Sequence, residues 1–212
     1  QDNKRRYSGD KGPNTGGMGS YSLANHLLPF LTKEDDEKAR GIMRKTIETL
    51  NKQSGNPFIG ILYGGFIKTK DGIKFIEYNA RFGDPEALNA LALLDHLESD
   101  IVTIFKAMID GTLNEISVKF RNEASFALYD VPPEYPKKGK PRPFDVSDVN
   151  QEKLHYGGVS EIDGKLYTTG SRTCLVVDTG HTIEEVRERV MSEMRNIIGL
   201  EYIEDIEIKE YF

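Results

Sequence analysis

Glu77, Asn79 and Arg81 occupy alternate positions in Phe75-Ile-Glu-Tyr-Asn-Ala-Arg-Phe-Gly-Asp-Pro-Glu86, and that set of residue types can hold a metal-bound phosphate. On an extended strand, residues two apart point to the same face. A carboxylate and an amide carbonyl side by side are hard oxygen donors of the kind Mg²⁺ accepts when phosphates and water complete its shell. Arg81 follows on the same face, and its planar guanidinium suits phosphate or carboxylate. Asp84-Pro85-Glu86 reads as an N-cap, a proline at the first helical position and an acidic first turn. The competing reading is an edge strand with solvated polar residues. Against it, the apolar Phe75-Ile76 argues that one end of the strand is buried.

Lys4 to Gly19 (Lys-Arg-Arg-Tyr-Ser-Gly-Asp-Lys-Gly-Pro-Asn-Thr-Gly-Gly-Met-Gly) is the second chemistry-bearing segment. Glycines admit a ligand close to the backbone, and successive N–H groups can form an anion-binding concavity. Asn14 and Thr15 add side-chain donors, and Asp10 could hold an amine. The alternative is a flexible loop whose glycines only serve turns. It is not a Walker A loop, because the Gly-Lys-Ser/Thr ending is missing. His26, His96, His155 and His181 show no metal-ligand spacing, and no nucleophile-elbow motif supports serine–histidine–aspartate chemistry.

The elements that must position these residues are legible in part. Residues 1–22 read as a loop. Thr32-Lys-Glu-Asp35 resembles a capping box, followed by helical spacing at Ala39, Ile42, Met43, Ile47 and Leu50 and a stop at Gly55-Asn56-Pro57. Residues 58–70 and 73–78 read as strands joined by Asp71-Gly72, a hairpin signal that would deliver Glu77 and Asn79 from a rigid pair. Asp84 opens a helix through Leu94, and Ser99 or Asp100 opens another bearing Ile101, Ile104, Phe105 and Met108. Asp110-Gly111-Thr112 closes it and marks the expected domain boundary, giving domains 1–112 and 113–212. Beyond it, residues 118–131 read as one or two strands. Residues 132–143 hold five prolines and a net charge of +3 (Lys137, Lys138, Lys140 and Arg142 against Glu134), expected to be a mobile surface loop whose charge serves solvation. Residues 156–162 and 165–169 flank a second Asp-Gly turn, 173–177 form a strand, and Thr182-Ile-Glu-Glu185 caps a helix bearing Val186, Val190, Met194 and Ile197 that stops at Gly199.

The 212 residues suffice for one large domain or two small ones. A net charge of −6 and a pI near 5.4 argue against general nucleic-acid binding. The charge is uneven: residues 1–12 carry +2, and the tail from Leu200 carries −4. Cys174 is the single cysteine, so no internal disulfide and no cysteine-based zinc site can form. It lies in an apolar run and reads as a core residue in a cytoplasmic protein. No apolar stretch approaches the roughly 18 residues that would span a membrane, and no signal peptide is visible. The chain opens at Gln1-Asp2-Asn3-Lys4 without an initiator methionine, which reads as a fragment or a processed product.

Four strings in order, Asp2-Asn-Lys-Arg, Asp10-Lys-Gly-Pro-Asn-Thr-Gly-Gly-Met-Gly-Ser-Tyr21, Gly60-Ile-Leu-Tyr-Gly-Gly65 and Ile76-Glu-Tyr-Asn-Ala-Arg-Phe-Gly-Asp-Pro-Glu86, resemble the phosphoribosylamine–glycine ligase family, the glycinamide ribonucleotide synthetases of purine biosynthesis. Looser similarity runs through Leu97-Glu-Ser-Asp100, Tyr156-Gly-Gly-Val, Gly164-Lys-Leu and Gly170-Ser-Arg-Thr. The resemblance implies an α+β fold: the C-terminal lobe of an ATP-grasp domain, an antiparallel sheet with helices, then a smaller mixed β/α C-terminal domain. The N-terminal half, with the adenine-gripping lysines, would lie upstream, so this stretch would be inactive alone. The implied reaction joins glycine to 5-phosphoribosylamine through glycyl phosphate at the expense of ATP. Glu77 and Asn79 would hold Mg²⁺ or Mn²⁺ on the ATP phosphates, and Arg81 would be catalytic, stabilising the transferring phosphoryl group. Asp10, Pro13, Asn14, Thr15, Gly16, Gly17, Arg81, Asp84 and Pro85 would bind the small-molecule substrates, and Lys4 and Arg5 would serve phosphates. Many ATP-grasp proteins place a second metal-binding acid about twelve residues before the Glu-x-Asn pair. Counting back from Glu77 reaches Gly65, so no second metal is assigned. The alternatives are another ATP-grasp carboxylate–amine ligase, or a non-catalytic binding or assembly module.

Overall fold

The structure is a computed structural model that describes residues 1–206. Glu207, Lys209 and Glu210, counted in the tail charge above, lie outside the described residues. In chain order the elements are β1 (Asp2–Tyr7), β2 (Lys11–Ser22), α1 (Lys33–Ser54), β3 (Tyr63–Thr69), β4 (Gly72–Asn79), α2 (Glu86–Leu91) and α3 (Ile101–Asp110). They continue with β5 (Ala124–Asp130), β6 (Pro143–Phe144), β7 (Leu154–Tyr156), β8 (Val159–Ile162), β9 (Lys165–Thr168), β10 (Cys174–Gly180) and α4 (Ile183–Met194). The architecture is α+β, with antiparallel sheets and few helices.

Two compact units emerge among the described residues: 1–26, 84–93 and 122–206 form the first, and 27–83 with 94–121 form the second. This division differs from the boundary expected at residue 112. The reason is long-range pairing: β2 pairs with β5, so the first hairpin belongs to the same sheet as the last third of the chain.

In the first unit the sheet order is β1-β2-β5-β10-β7. The glycine-rich segment read as a loop is thus a strand of this sheet. Gly9 and Asp10, both at positive φ, turn β1 into β2, and two register shifts absorb the irregular residues of the hairpin. Met18–Tyr21 is buried, and this apolar end of β2 anchors it beside β5. β5 is buried at every residue, a continuous run rather than an alternating one, as expected for a strand covered on both faces. Helices α2 and α4 both pack on the sheet. Val186, Val190 and Met194 of α4 are fully buried, each worth about 1.5–3 kcal/mol. Thr182 caps α4 through the Glu185 N–H, but the helix ends at Met194 rather than running on toward Gly199. β6, β9 and β8 make a separate three-stranded sheet around the expected Asp163-Gly164 turn.

Two charged side chains lie inside this unit. Arg6 is 2 % exposed; its Nε donates to the Tyr135 carbonyl at 3.0 Å and its Nη2 to Glu201 Oε2 at 2.7 Å. Asp130, at the end of β5, is 1 % exposed, and neither of its carboxylate oxygens meets a hydrogen-bond donor among the described residues. Burial pushes its pKa well above the ordinary carboxylate range, with the Arg6 charge opposing the shift and Glu201 adding to it.

In the second unit, α1 lies against the β3–β4 hairpin. Thr32 accepts the Asp35 N–H while the Asp35 carboxylate accepts the Thr32 N–H, so the expected capping box is formed, and Gly55 closes the helix at φ +71°. The Lys68 ammonium, 2.6 Å from both Asp35 oxygens, is the main cause holding this carboxyl down to about 2, with the Thr32 N–H next. α3 is capped by Asp100 and closed by Gly111.

The capping box predicts that Thr32→Ala lowers the stability of the second unit by about 1 kcal/mol, measured as the loss of α1 amide protection in hydrogen exchange. Asp130 gives a pH prediction. In the folded chain it stays protonated above its unfolded pKa of about 3.9, so stability is lost as pH rises from about 4 toward the folded value. Urea melts of the parent and Asp130→Asn should diverge in the variant's favour between pH 4 and neutrality. A difference independent of pH would show that Asp130 ionises normally.

Candidate functional site

Sequence-predicted site residues fall in both units. In the second unit, Asp71-Gly72 forms the expected turn and β4 carries Glu77 and Asn79. The ladder pairs Phe66 with Phe75 but Gly65 with Glu77, so Ile76 is an extra residue in β4. Such a bulge shifts which face the following side chains reach. Before it, Ile73 and Phe75 share the α1 face with Lys68 and Phe66; the two phenylalanine rings meet edge to face at 5.7 Å. After it, Tyr78 is on that face, its hydroxyl 2.5 Å from Thr46 Oγ1 of α1. Glu77 and Asn79 are thereby turned to the other face, opposite Gly65 and Tyr63.

The pair is in contact: Asn79 Nδ2 donates to Glu77 Oε1 at 3.3 Å, with Glu77 exposed and Asn79 half-buried. Turning the Asn79 amide over presents Oδ1 beside the carboxylate, giving two adjacent oxygen donors on a paired strand. Mg²⁺ typically takes one or two protein ligands and completes its shell with phosphates and water, so these residues fit that cation. Among the described residues no three His, Cys, Asp or Glu side chains group to hold a metal ion, which leaves most of such a shell to phosphates and water. At Gly65, directly opposite Glu77, a Cβ would lie 3.4 Å from Glu77 Cγ, so this position faces the carboxylate without offering a ligand. β4 ends at Asn79, so strand alternation does not extend to Arg81. Its Nη1 donates to the Phe82 carbonyl at 2.6 Å.

In the first unit, the sequence-predicted residues meet around a side chain that sequence reasoning did not assign. Arg172 Nη1 donates to the carbonyls of Gly16 (3.2 Å), Gly17 (3.0 Å) and Asp84 (2.6 Å), and Nη2 donates to Asp84 Oδ2 at 2.8 Å. Its guanidinium lies over the Tyr129 ring, 4.7 Å from the centroid, a favourable cation–π arrangement. The Tyr129 hydroxyl donates to Asp84 Oδ1 at 2.7 Å. Burial, then this bond to a carboxylate, pushes the Tyr129 pKa well up. Asp84 is therefore not the helix cap expected from Asp-Pro-Glu. Both of its oxygens are taken, the cap position is Pro85 without a side-chain bond, and α2 ends at Leu91 rather than Leu94. The Asp84–Pro85 peptide is cis. Gly17 sits at φ +117°, and a Cβ there would lie 2.7 Å from Pro85 Cδ; a Cβ on Gly16 would lie 3.1 Å from the Arg172 guanidinium carbon. Gly17 is required by close approach, whereas a side chain at Gly16 would push the Arg172 guanidinium back by a few tenths of an ångström.

The remaining predicted residues are placed along the hairpin. Thr15 Oγ1 donates to the Lys4 carbonyl at 2.9 Å and accepts the Gly17 N–H at 3.1 Å. Arg5 Nη1 donates to the Gly12 carbonyl at 2.9 Å, and Lys4 pairs with Asp2 at 3.0 Å. Asp10 is exposed in the turn at φ +55°, and Pro13 and Asn14 are exposed on β2. Beside Gly17, Asp2 Oδ1 is buried without a hydrogen-bond partner among the described residues. Burial first, then the Glu86 charge, raises the Asp2 pKa to about 6. The only sign of Arg172 in the sequence is the string Gly170-Ser-Arg-Thr; nothing local shows what it reaches.

Residues 1–87 match the family described as phosphoribosylglycinamide synthetase, ATP-grasp (A) domain. The chain is 44% identical over 200 residues to the phosphoribosylamine–glycine ligase of Methanosarcina barkeri, covering 94% of this chain and 46% of that protein. The crystal structure of phosphoribosylamine–glycine ligase from Thermotoga maritima superimposes with a TM-score of 0.81 at 28% identity, over 97% of this chain and 50% of that one. Phosphoribosylglycinamide synthetase from Anaerococcus prevotii shares the fold, at a TM-score of 0.59 and 14% identity over 88% of this chain and 46% of that one. The chain spans about half the length of the curated relatives it matches, and it belongs to the phosphoribosylamine–glycine ligase family of ATP-grasp proteins.

Proposed function

We propose that this chain is part of an ATP-dependent carbon–nitrogen ligase that joins glycine to 5-phosphoribosylamine, giving glycinamide ribonucleotide, ADP and phosphate in purine biosynthesis in the cytoplasm. The observation that carries the reading is the Glu77–Asn79 pair, aimed by a bulge away from α1 in a chain of this family. A bound Mg²⁺ or Mn²⁺ would neutralise charge on the ATP phosphates. Phosphoryl transfer needs mainly alignment and charge neutralisation, which suits a rigid strand bearing few ligands. Glu77 and Asn79 would hold the cation, and Arg81 would leave the Phe82 carbonyl to bind the γ-phosphoryl group as it moves to the glycine carboxylate. The resulting glycyl phosphate is attacked by the amine of phosphoribosylamine, and phosphate departs.

The glycine strand is the substrate platform in this reading. Its backbone orientation is set by the Arg172 bonds to the Gly16 and Gly17 carbonyls, and Pro85 closes against Gly17. Asp10, Pro13, Asn14 and Thr15 present the polar edge, while Lys4 and Arg5 flank it on β1. Arg172 thus acts as a positioning residue.

Two outcomes follow. The full-length gene product should be stabilised by Mg²⁺·ATP by about 2.7 kcal/mol at a hundredfold excess over Kd, and Glu77→Gln/Asn79→Ala should lose that shift in thermal denaturation. Equal shifts in both proteins would remove these residues from the metal site. Arg172→Lys cannot fork to three carbonyls and a carboxylate. It should lower kcat/KM for glycine about tenfold to a hundredfold with the KM for ATP unchanged. Loss of thermal stability with intact kcat/KM would make Arg172 structural only.

A further inference from the structure

Residues 200–206 cross the first unit as a strap. Near its start, Glu201 and Val131, the residue after β5, exchange both backbone bonds at 2.9 Å. Further on, Ile203 and Ile206 are buried, and Ile206 Cδ1 lies 2.9 Å from where a Cβ on Gly19 would sit. The strap therefore reaches from the end of β5 to the glycine strand. At the bridge, the Glu201 carboxylate accepts Arg6 Nη2 at 2.7 Å. The same guanidinium is held by the Tyr135 carbonyl through Nε. Tyr135 is buried and its hydroxyl accepts the Gly16 N–H at 3.3 Å, so the stretch 132–143, expected to be mobile, is fixed at this point. The strap is not sealed along its length: a cleft of about 510 Å³ is lined by its residues together with Arg6, Tyr7 and Ser8.

Asp130 immediately precedes the bridged Val131. It is 1 % exposed, and neither carboxylate oxygen meets a donor among the described residues. Arg6 gives its Nε and Nη2 to Tyr135 and Glu201 instead. The charges that act on Asp130 are Arg6 of β1 and Glu201 of the strap. Two further titratable groups feel it in turn: Cys174, its partner across the β5–β10 ladder, and Tyr202 of the strap. Burial pushes both of these upward, so thiol and phenol stay neutral near pH 7. The balance therefore rests on Asp130, Arg6 and Glu201. A buried carboxyl without donors is stable only while protonated. Ionised, it would repel Glu201 and attract Arg6, the two partners that hold the strap down.

We propose that residues 200–206 are a strap latched over the Asp130 carboxyl by the Arg6–Glu201 pair, and that it opens as this carboxyl gives up its proton to water. With the strap shut, Asp130 is held protonated. With the strap open, it meets solvent and ionises as an ordinary carboxyl does, with a pKa of about 3.9. Opening thus releases one proton. Its equilibrium constant rises up to about tenfold per pH unit between that value and the raised value of the shut state. A shut strap keeps Ile206 against Gly19, so the device is a pH-dependent clamp on the buried end of the glycine strand. It holds whichever reaction that strand serves.

The test is amide hydrogen exchange in the full-length gene product from about pH 5 to 8, each amide corrected for its intrinsic base-catalysed rate. The Val131 and Glu201 amides, bonded across the bridge, report on the strap. Leu128 and Val176, paired at the centre of the β5–β10 ladder, report on the whole unit. The bridge amides should be at least tenfold less protected than the ladder amides. In the parent they should lose protection about tenfold per pH unit, and in Asp130→Asn their protection should not change with pH. Glu201→Gln, which keeps the strap but weakens the latch, should lower Val131 protection several-fold at pH 5, where Asp130 is protonated. Bridge protection independent of pH in the parent would show that opening leaves Asp130 covered, and would overturn the proposal. So would a parent-like slope in Asp130→Asn, which would assign the proton to another group. Bridge and ladder amides of equal protection would show that the strap opens only when the unit unfolds, and would overturn it as well.

Discussion

One guanidinium ties the first unit together. Arg172 spends its donors on Gly16, Gly17 and Asp84, residues 88 to 156 positions away along the chain. Charge-assisted and forked bonds of this kind are among the stronger ones available to a side chain. This one is sheltered, with the Arg172 side chain only 16 % exposed and stacked on Tyr129. Its consequences propagate outward. Asp84 is drawn away from capping α2, a Cβ at Gly16 would crowd the guanidinium, and the glycine strand is held in one register against β1 and β5. A strand so rich in glycine has little intrinsic preference for extension. What keeps it extended is the apolar end Met18–Tyr21 in the core and the arginine latch at its middle.

The second unit solves a different problem with a smaller device. A two-stranded hairpin with a helix on one face must expose the other, and a polar pair belongs there. Strict alternation from Phe75 would have put Glu77 and Asn79 under α1. The extra residue Ile76 reverses that, so the same short strand gives the helix its aromatic side chains and gives the open face its carboxylate and amide. Bulges are common where a sheet must re-aim a functional side chain. Ile76 itself is 59 % exposed, a large apolar residue spent on geometry rather than on the core.

Features governed by neighbours in sequence are legible in the amino-acid string alone. The Thr32–Asp35 box, the Asp71-Gly72 and Asp163-Gly164 turns, the α4 stripe and the pairing of Glu77 with Asn79 on one face all rest on spacings of two to four residues. Features set by long-range contacts are not. The glycine segment reads as a loop because its pairing partners lie in β1 and β5, the latter over a hundred positions away. Residues 132–143 read as mobile because nothing local reveals that Tyr135 reaches Gly16 and Arg6. Asp84 looks like a helix cap by every local rule, and loses that role to Arg172 and Tyr129. The roles of Lys4, Arg5 and Arg81 come with the family resemblance, and each has a backbone or ion-pair partner that a ligand would have to replace.

The central claim is that this chain serves a ligase that phosphorylates glycine before the amine attacks. The measurement that tests it most directly is positional isotope exchange in ATP labelled with ¹⁸O in its β–γ bridge, using the full-length gene product, Mg²⁺ and no acceptor. Reversible transfer to glycine lets the β-phosphate of bound ADP rotate, so the account predicts scrambling of the bridge label that requires glycine. Scrambling without glycine, or none with it while the ligation itself proceeds, would contradict an acyl phosphate on the path.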